Sequence, residues 1–380
     1  PEPFCRGRYL LGKSMSAERK KTRPVSVGPV IIGGGAPVIV QSMTCTDTRD
    51  VEATVAQIGR LTDAGCEVVR VAVPDEEAVR AVASIKKGIS IPLIADIHFN
   101  HRLALGAIRN GADCIRINPG NMEKDKVGRI IDAAKARGIS IRIGINSGSL
   151  EKDILTRHGS PTAAALVESA LRNIRFFEEM DFHAIKLSVK ASDVTAMIEA
   201  NRALSQATDY PLHLGVTEAG SLVNSAIKSS IGMGVLLNEG IGDTIRVSIS
   251  GDPVTEVGVA YGILRALGIR KVGPDIVSCP TCGRCEVDLF RLVEEAEKRL
   301  AGMKDYFKIA LMGCVVNGPG EAAEADIGIA GGRHMGLLFK KGQVVRKVRE
   351  EELVDALMDE IHAMLRERSE NESRKRIPIR

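Results

Sequence analysis

A chain of 380 residues is too long for one ordinary hydrophobic core, so two domains are expected. Aromatic residues make up 3% and tryptophan is absent, which excludes a surface that stacks single-stranded bases, and a net charge of +4 supplies no concentrated basic face for nucleic acid. No apolar run approaches the ~18 uncharged residues of a membrane span, and Tyr9-Leu10-Leu11 is too short for the core of a signal peptide, so neither membrane nor export is expected and the cytoplasm follows.

Residues 1–21 carry no periodicity and read as an unstructured extension, with Met15 as the natural start. From Pro37 to Ser250 one theme then repeats. A short β-branched run ends in polar or glycine-rich residues, and a stretch with helical spacing follows, as over 51–61 and 163–177. The runs lie at 38–40, 68–73, 93–95, 114–117, 141–143, 184–187, 212–216 and 244–247. Eight strands alternating with helices over this length predict a (β/α)8 TIM-type barrel within 22–270. A doubly wound sheet would set G-x-G-x-x-G after the first strand, whereas Gly33-Gly34-Gly35 precedes it.

Five of these runs hold one cation among apolar neighbours: Arg70, Arg116, Arg142, Lys186 and Arg246. A buried charge without a partner costs several kcal/mol, so its repetition needs a reason. Barrel strands converge at a C-terminal mouth, where such groups would clamp an anion, and a di- or triphosphate is the natural occupant. For any single residue, pairing with a carboxylate or an outward orientation stays open. The strand-end loops add amides and hydroxyls, among them Asn118 and Asn146, while His98 is either catalytic or a structural hydrogen-bonder.

After Gly273-Pro274 the pattern changes to a small α+β domain over 271–368. A helix is expected at 285–303, strands at 308–312 and 327–329, a hairpin around Lys340-Lys341-Gly342-Gln343, a closing helix at 351–368 and a charged tail at 369–380. Four of the eight cysteines crowd here, in Cys279-Pro-Thr-Cys282-Gly-Arg-Cys285 and in Gly313-Cys314, and the turn at Asn317-Gly-Pro-Gly320 would bring Glu321 beside Cys314. The spacing suits an iron–sulfur cluster better than a zinc ribbon, which wants a second C-x2-C; structural zinc remains the alternative.

Val40-Gln-Ser-Met-Thr44, Ala95-Asp-Ile-His-Phe99, Ile115-Arg-Ile-Asn-Pro-Gly-Asn121, Arg142-Ile-Gly-Ile-Asn-Ser-Gly-Ser-Leu150, Gly215-Val-Thr-Glu-Ala-Gly220, the segment from Glu239 to Ser248, the Cys279 motif and Gly313-Cys-Val-Val-Asn-Gly-Pro-Gly-Glu321 resemble the bacterial 4-hydroxy-3-methylbut-2-enyl diphosphate synthase family. The likeness runs from about residue 22 to 365. It implies reductive opening and dehydration of 2-C-methyl-D-erythritol 2,4-cyclodiphosphate, with electrons from flavodoxin or ferredoxin. It also implies a [4Fe–4S] cluster on Cys279, Cys282, Cys314 and Glu321, with Glu321 an exchangeable ligand at the reacting centre. Glu239 would deliver a proton, the barrel residues Arg70, Arg116, Asn118, Arg142, Asn146, Lys186 and Arg246 would hold the diphosphate, and the enzyme would be a head-to-tail homodimer. The competing function is a phosphate-binding barrel lyase or synthase with a structural zinc. Two residues depart from the family pattern: Cys285, where a non-ligand is usual, and Cys45, where Asn is common.

Overall fold

The computed structural model describes residues 18–315 and 324–375, the side chains of 121 and 371–375 excepted. A short antiparallel hairpin, β1 (Val25–Val27) and β2 (Val30–Ile32), comes first. Eight strands follow at the β-branched runs: β3 (Ile39–Met43), β4 (Val68–Ala72), β5 (Leu93–Asp96), β6 (Cys114–Ile117), β7 (Ser140–Asn146), β8 (Ile185–Lys190), β9 (His213–Leu214) and β10 (Thr244–Ile245). They form one parallel sheet in the order β8-β7-β6-β5-β4-β3-β10-β9, and a bridge between Leu187 and Leu212 brings its ends together. This is the expected (β/α)8 barrel.

The loops that end several strands also start the next helix. Asp50, Asp75, Thr162, Asp193 and Asp252 each accept a backbone N–H of the first turn, a cap worth about 1 kcal/mol apiece. The hairpin, which the sequence reading did not foresee, plugs the other end. Val27 and Ile32 pack with Ile39, Val68, Ile94 and Cys114, residues from the starts of four barrel strands. That contact fixes the pleat: every second residue onward, Gln41 and Met43, Arg70, Asp96, and Arg116, also points inward. Ser42, one position off, reaches outward to Glu256 on the helix Pro253–Ala266.

The expected extension over 1–21 is ordered where it is described. Arg19 pairs with Asp243 at 2.8 Å, and Lys20 donates its N–H to Gly240 O at 3.0 Å and its Nζ to Thr208 O at 2.6 Å. Backbone carbonyls at the barrel's N-terminal end need donors, and these two residues supply them. Gly33 belongs to the same seal: a Cβ there would sit 2.6 Å from Arg23 O, and its φ is +79°. Residues 1–17, Met15 included, lie outside the described residues.

Contacts divide the chain between Arg270 and Lys271. The second unit holds a mixed sheet of β11 (Asp275–Ser278), β12 (Lys308–Met312), β13 (Ile327–Gly332), β14 (Met335–Lys340) and β15 (Gln343–Arg349), in that order. The first three are parallel; the last two fold back as hairpins. Lys341 and Gly342 both take positive φ, 49° and 76°, as a two-residue primed turn requires. The helices Leu289–Leu300 and Leu353–Lys375 cover one face through Leu292, Ala296, Leu300, Leu353, Leu357 and Ile361. The first of these is shorter than 285–303 because Asp288 caps it on Arg291 N and frees the cysteine segment. The closing helix extends past 368 to Lys375, and residues 376–380 of the charged tail lie outside the described residues. Among the described residues no helix is long and apolar enough to cross a membrane.

Candidate active site

The barrel interior is charged where a barrel core is usually aliphatic. Arg116, Arg142 and Lys186 are register partners on β6, β7 and β8, so their side chains leave the same face of neighbouring strands. Arg70 on β4, Lys190 at the end of β8 and Arg246 after β10 complete six cations. Two buried carboxylates answer them. Asp96 lies 3.1 Å from Arg116 Nη1 and 3.5 Å from Arg70 Nε, and Glu256 takes Arg246 in a fork at 3.2 and 3.1 Å. Glu256 also accepts from Ser42 Oγ at 2.8 Å and from Ile249 N at 3.1 Å. Arg70, Arg116 and Arg246 therefore each have a carboxylate, as the alternative reading of the strand cations allowed. Arg142 and Lys186 have none: all three guanidinium nitrogens of Arg142 are buried without a hydrogen-bond partner among the described residues, and buried Nζ of Lys186 has only the Cys114 thiol beside it.

The electrostatics follow from this imbalance. Burial pulls the Arg142 pKa well below its usual range, and Arg70 and Arg116 push the same way. Burial brings Lys186 down to about 8, opposed by the Cys114 thiol and assisted by Arg142. Burial, then Arg246 and Arg70, lower Lys190; burial, then Arg142 and Lys190, lower His213, so His213, whose Nδ1 lies 2.6 Å from Thr244 Oγ1, stays neutral. Asp96 goes the other way. Burial alone would raise it, but Arg70, the His98 hydrogen bond, Arg116 and Arg142 together hold it far below the carboxylate range. An excess of buried positive charge with unmade donors is the form of an anion site.

Glycines make room for the long side chains. A Cβ at Gly144 would collide with Arg116 Nε and sit 2.8 Å from its Cζ, and one at Gly215 would sit 2.7 Å from Lys190 Nζ. Arg116 thus crosses β7 where β7 has no side chain, and Lys190 likewise crosses the chain at Gly215, just after β9. The mouth loops fix the rest. Asn118 donates to Ser149 Oγ at 2.7 Å; Asn146, with its amide oxygen toward Arg116, accepts from Nη2 at 3.1 Å; His98 Nε2 stands 2.8 Å from Arg116 Nη1. Cys45 keeps the loop after β3 closed by pairing with Gln57 through its N–H (2.9 Å) and its sulfur (3.1 Å).

The structure brings Arg70, Arg116, Asn118, Arg142, Asn146, Lys186 and Arg246 into one region, but not Glu239. That residue ends the helix Leu222–Asn238 and precedes β10, which puts it at the barrel's N-terminal end, where a fork from Arg202 at 2.8 and 2.6 Å holds its carboxylate. A carboxylate at the mouth is Glu218, in the loop after β9. It is exposed, holds a left-handed φ of 54°, and takes no hydrogen bond or ion pair among the described residues. A non-glycine residue in that conformation is strained, a state concentrated at functional sites.

In the second unit, Cys279 follows β11 and Cys314 lies two residues beyond β12, its parallel neighbour. Cys279 Sγ accepts the Gly313 N–H at 3.2 Å, and Cys285 N–H donates to Cys282 O at 2.9 Å in a tight turn. Cys285 Sγ packs so close to Gly313 that a Cβ there would be 2.5 Å away, and it contacts Val287 O at 3.2 Å. Among the described residues, no three His, Cys, Asp or Glu side chains gather as a single metal ion would need. Glu321 and the turn at 317–320 lie outside the described residues.

Residues 22–261 match the GcpE TIM-barrel domain and residues 275–363 the GcpE protein C-terminal domain. The chain belongs to the GcpE family. Relatives named "4-hydroxy-3-methylbut-2-en-1-yl diphosphate synthase (flavodoxin)" include those of Nitratidesulfovibrio vulgaris (56% identical, covering 94% of this chain and 93% of the relative) and Geobacillus kaustophilus (57%, 92% and 94%). That of Maridesulfovibrio salexigens is 55% identical, covering 92% of this chain and 98% of its own. Among solved structures, a dihydropteroate synthase from Xanthomonas albilineans superposes with a TM-score of 0.47 and 14% identity, covering 65% of this chain and 99% of that one.

Within this GcpE chain the sequence reading placed Asp96, Lys190 and Glu218 in the strand-end loops without giving them a role, and did not single out His213 or Glu256. The signal for Lys190 was present: Lys186-Leu-Ser-Val-Lys190 alternates, so both lysines share one face if the strand continues. Glu256 had none, because it reaches Arg246 from the outer helix.

Proposed function

We infer that this chain catalyses the reductive opening and dehydration of 2-C-methyl-D-erythritol 2,4-cyclodiphosphate to 4-hydroxy-3-methylbut-2-enyl diphosphate, with flavodoxin as electron donor. The observation that carries it is near-full-length kinship, above 50% identity, with relatives that bear this synthase's name. A name that includes an electron carrier leaves the lyase with structural zinc without support.

The barrel supports the substrate assignment. A diphosphate would complete the donors of Arg142, which otherwise carries the full cost of a buried, unpaired charge, and of Lys186, which otherwise has only the Cys114 thiol beside it. Arg70, Arg116 and Arg246 keep carboxylate partners that hold their forks in place before the substrate arrives, which lowers the ordering cost of binding. Asp96 stays ionised at any working pH and so never gives up that role. Glu218, at the mouth and without a partner among the described residues, is the proposed proton carrier in preference to Glu239.

Cys279, Cys282 and Cys314, with Glu321, are the proposed holders of a [4Fe–4S] cluster. The fit is supported by the strand ends that carry Cys279 and Cys314, and by the Gly313 N–H, which would stabilise a thiolate. A bound cluster would supply electrons one at a time and an iron open to a substrate oxygen. The packing of Cys285 against Gly313 and Val287 supports a structural thiol there. Self-association as a homodimer, head-to-tail in the proposed form, is supported by the helix Leu222–Asn238, whose outer face exposes Leu222, Val223, Ile227 and Ile231. Thiolate ligands belong in a reducing compartment, which supports the cytoplasm.

The test is anaerobic purification with iron, sulfide and zinc analysis, followed by turnover with reduced flavodoxin, on wild type, Glu321→Ala and Cys285→Ser. About four irons and four sulfides per chain, retained in Cys285→Ser, are expected. A colourless protein with one zinc, lost in Cys285→Ser, would overturn the cluster.

A further inference from the structure

Met43 is the last residue of β3 and points into the barrel, in register with Arg70. Its thioether sulfur takes the Arg70 Nε–H at 3.1 Å and lies 3.7 Å from Arg246 Nη1. Two guanidinium groups of like charge thus share one neutral, polarizable atom. Each also has a carboxylate: Asp96 forms an ion pair at 3.5 Å with the same Arg70 Nε, without a hydrogen bond, and Glu256 forks on Arg246. Met43 is the contact the two arginines have in common.

The choice of side chain has a chemical logic. A carboxylate at position 43 would pair with both arginines and cancel the charge that an incoming diphosphate needs. A leucine would fill the space but remove the sulfur that accepts the Arg70 Nε–H, leaving that group only the Asp96 carboxylate at 3.5 Å. A thioether accepts weakly and carries no charge, so it can orient a guanidinium without neutralising it. We propose that Met43 is a positioning residue of the diphosphate site, one that sets Arg70 and Arg246 side by side through its sulfur while leaving their charge free for the substrate. This rests on the reading of the barrel interior as the diphosphate site.

The test compares wild type, Met43→Leu, Met43→Gln and Arg142→Ala as full-length, cluster-loaded enzyme. Inorganic pyrophosphate binding is followed by calorimetry, and KM and kcat for the cyclic diphosphate by anaerobic turnover. Leucine is close to methionine in volume, and glutamine returns an uncharged acceptor at similar reach. Met43→Leu is expected to weaken pyrophosphate about tenfold, the loss of one hydrogen bond's worth of orientation. It should raise KM by a similar factor with kcat within about twofold, since the loss falls on binding held in ground and transition states alike. Met43→Gln should recover most of the affinity. Wild-type affinity in Met43→Leu, with Arg142→Ala weakened, would overturn the role of Met43 and leave the site intact. Glutamine as weak as leucine would overturn it too, because packing rather than the acceptor would then matter. Pyrophosphate binding unchanged in Arg142→Ala would overturn the diphosphate site and this inference with it.

Discussion

Arg142→Met should make the protein more stable and unable to bind its anion. The Arg142 side chain is fully buried, and none of its three nitrogens has an acceptor among the described residues. The repulsion of Arg70 and Arg116, of the same sign, outweighs the attraction of Asp96. Replacing buried ionic groups by apolar side chains of similar volume commonly stabilises by about 1–4 kcal/mol, and methionine fills most of the arginine stem. Taking about 2 kcal/mol, and roughly 2–4 °C per kcal/mol for a unit of this size, the melting temperature should rise by roughly 4–8 °C. In wild type, pyrophosphate at about 100 times its Kd should add about 2.7 kcal/mol, and in the variant this shift should vanish. Thermal melts with and without pyrophosphate read both effects. A lower melting temperature in Arg142→Met, or a retained pyrophosphate shift, would refute the argument that the uncompensated charge is kept for an anion.

Gly144→Ala should push the Arg116 guanidinium off Asp96 and Asn146, because the new methyl would overlap it; overpacking of about 1–3 kcal/mol and a roughly tenfold or greater loss of pyrophosphate affinity are expected by thermal melt and calorimetry. Lys186, which burial brings from 10.5 to about 8, gives a pH test. Between those values the unfolded chain holds a proton that the folded chain has lost, so stability should rise with pH across the window while anion affinity falls, and both trends should disappear in Lys186→Met. Glu218→Gln should lower kcat by about 10²–10⁴-fold in the flavodoxin-coupled assay. Glu239→Gln should leave kcat near wild type and cost no more than about 1 kcal/mol, since it breaks only a half-exposed pair with Arg202; the opposite ranking would return proton delivery to Glu239.

Much of the site was legible before any coordinates. A single cation in an otherwise β-branched run is a local anomaly, and Arg70, Arg116, Arg142, Lys186 and Arg246 each showed it. Their relative heights did not follow from it: Arg116, Arg142 and Lys186 share a register, whereas Arg70 stands opposite Ile94. Glu239 drew notice because its segment matches the family, and its place between a helix and a strand puts it at the N-terminal end of the barrel, away from these cations.

By itself, then, the sequence determined the period-two runs, the helix caps at Asp50, Asp75, Asp193 and Asp252, and the cysteine spacing, all of which are local properties of a few consecutive residues. Only the tertiary structure decided which cations keep a carboxylate and which do not. Asp96 stands twenty positions before Arg116, and Glu256 ten after Arg246, and nothing local distinguishes these acids from the solvated ones around them. Closure of the barrel brought them to three of the arginines and brought none to Arg142 or Lys186. The hairpin at the barrel floor, the glycines under Arg116 and Lys190, and the sulfur between Arg70 and Arg246 belong to the same class. Each depends on what another strand places across a packed interior, and side-chain period alone carries no record of that.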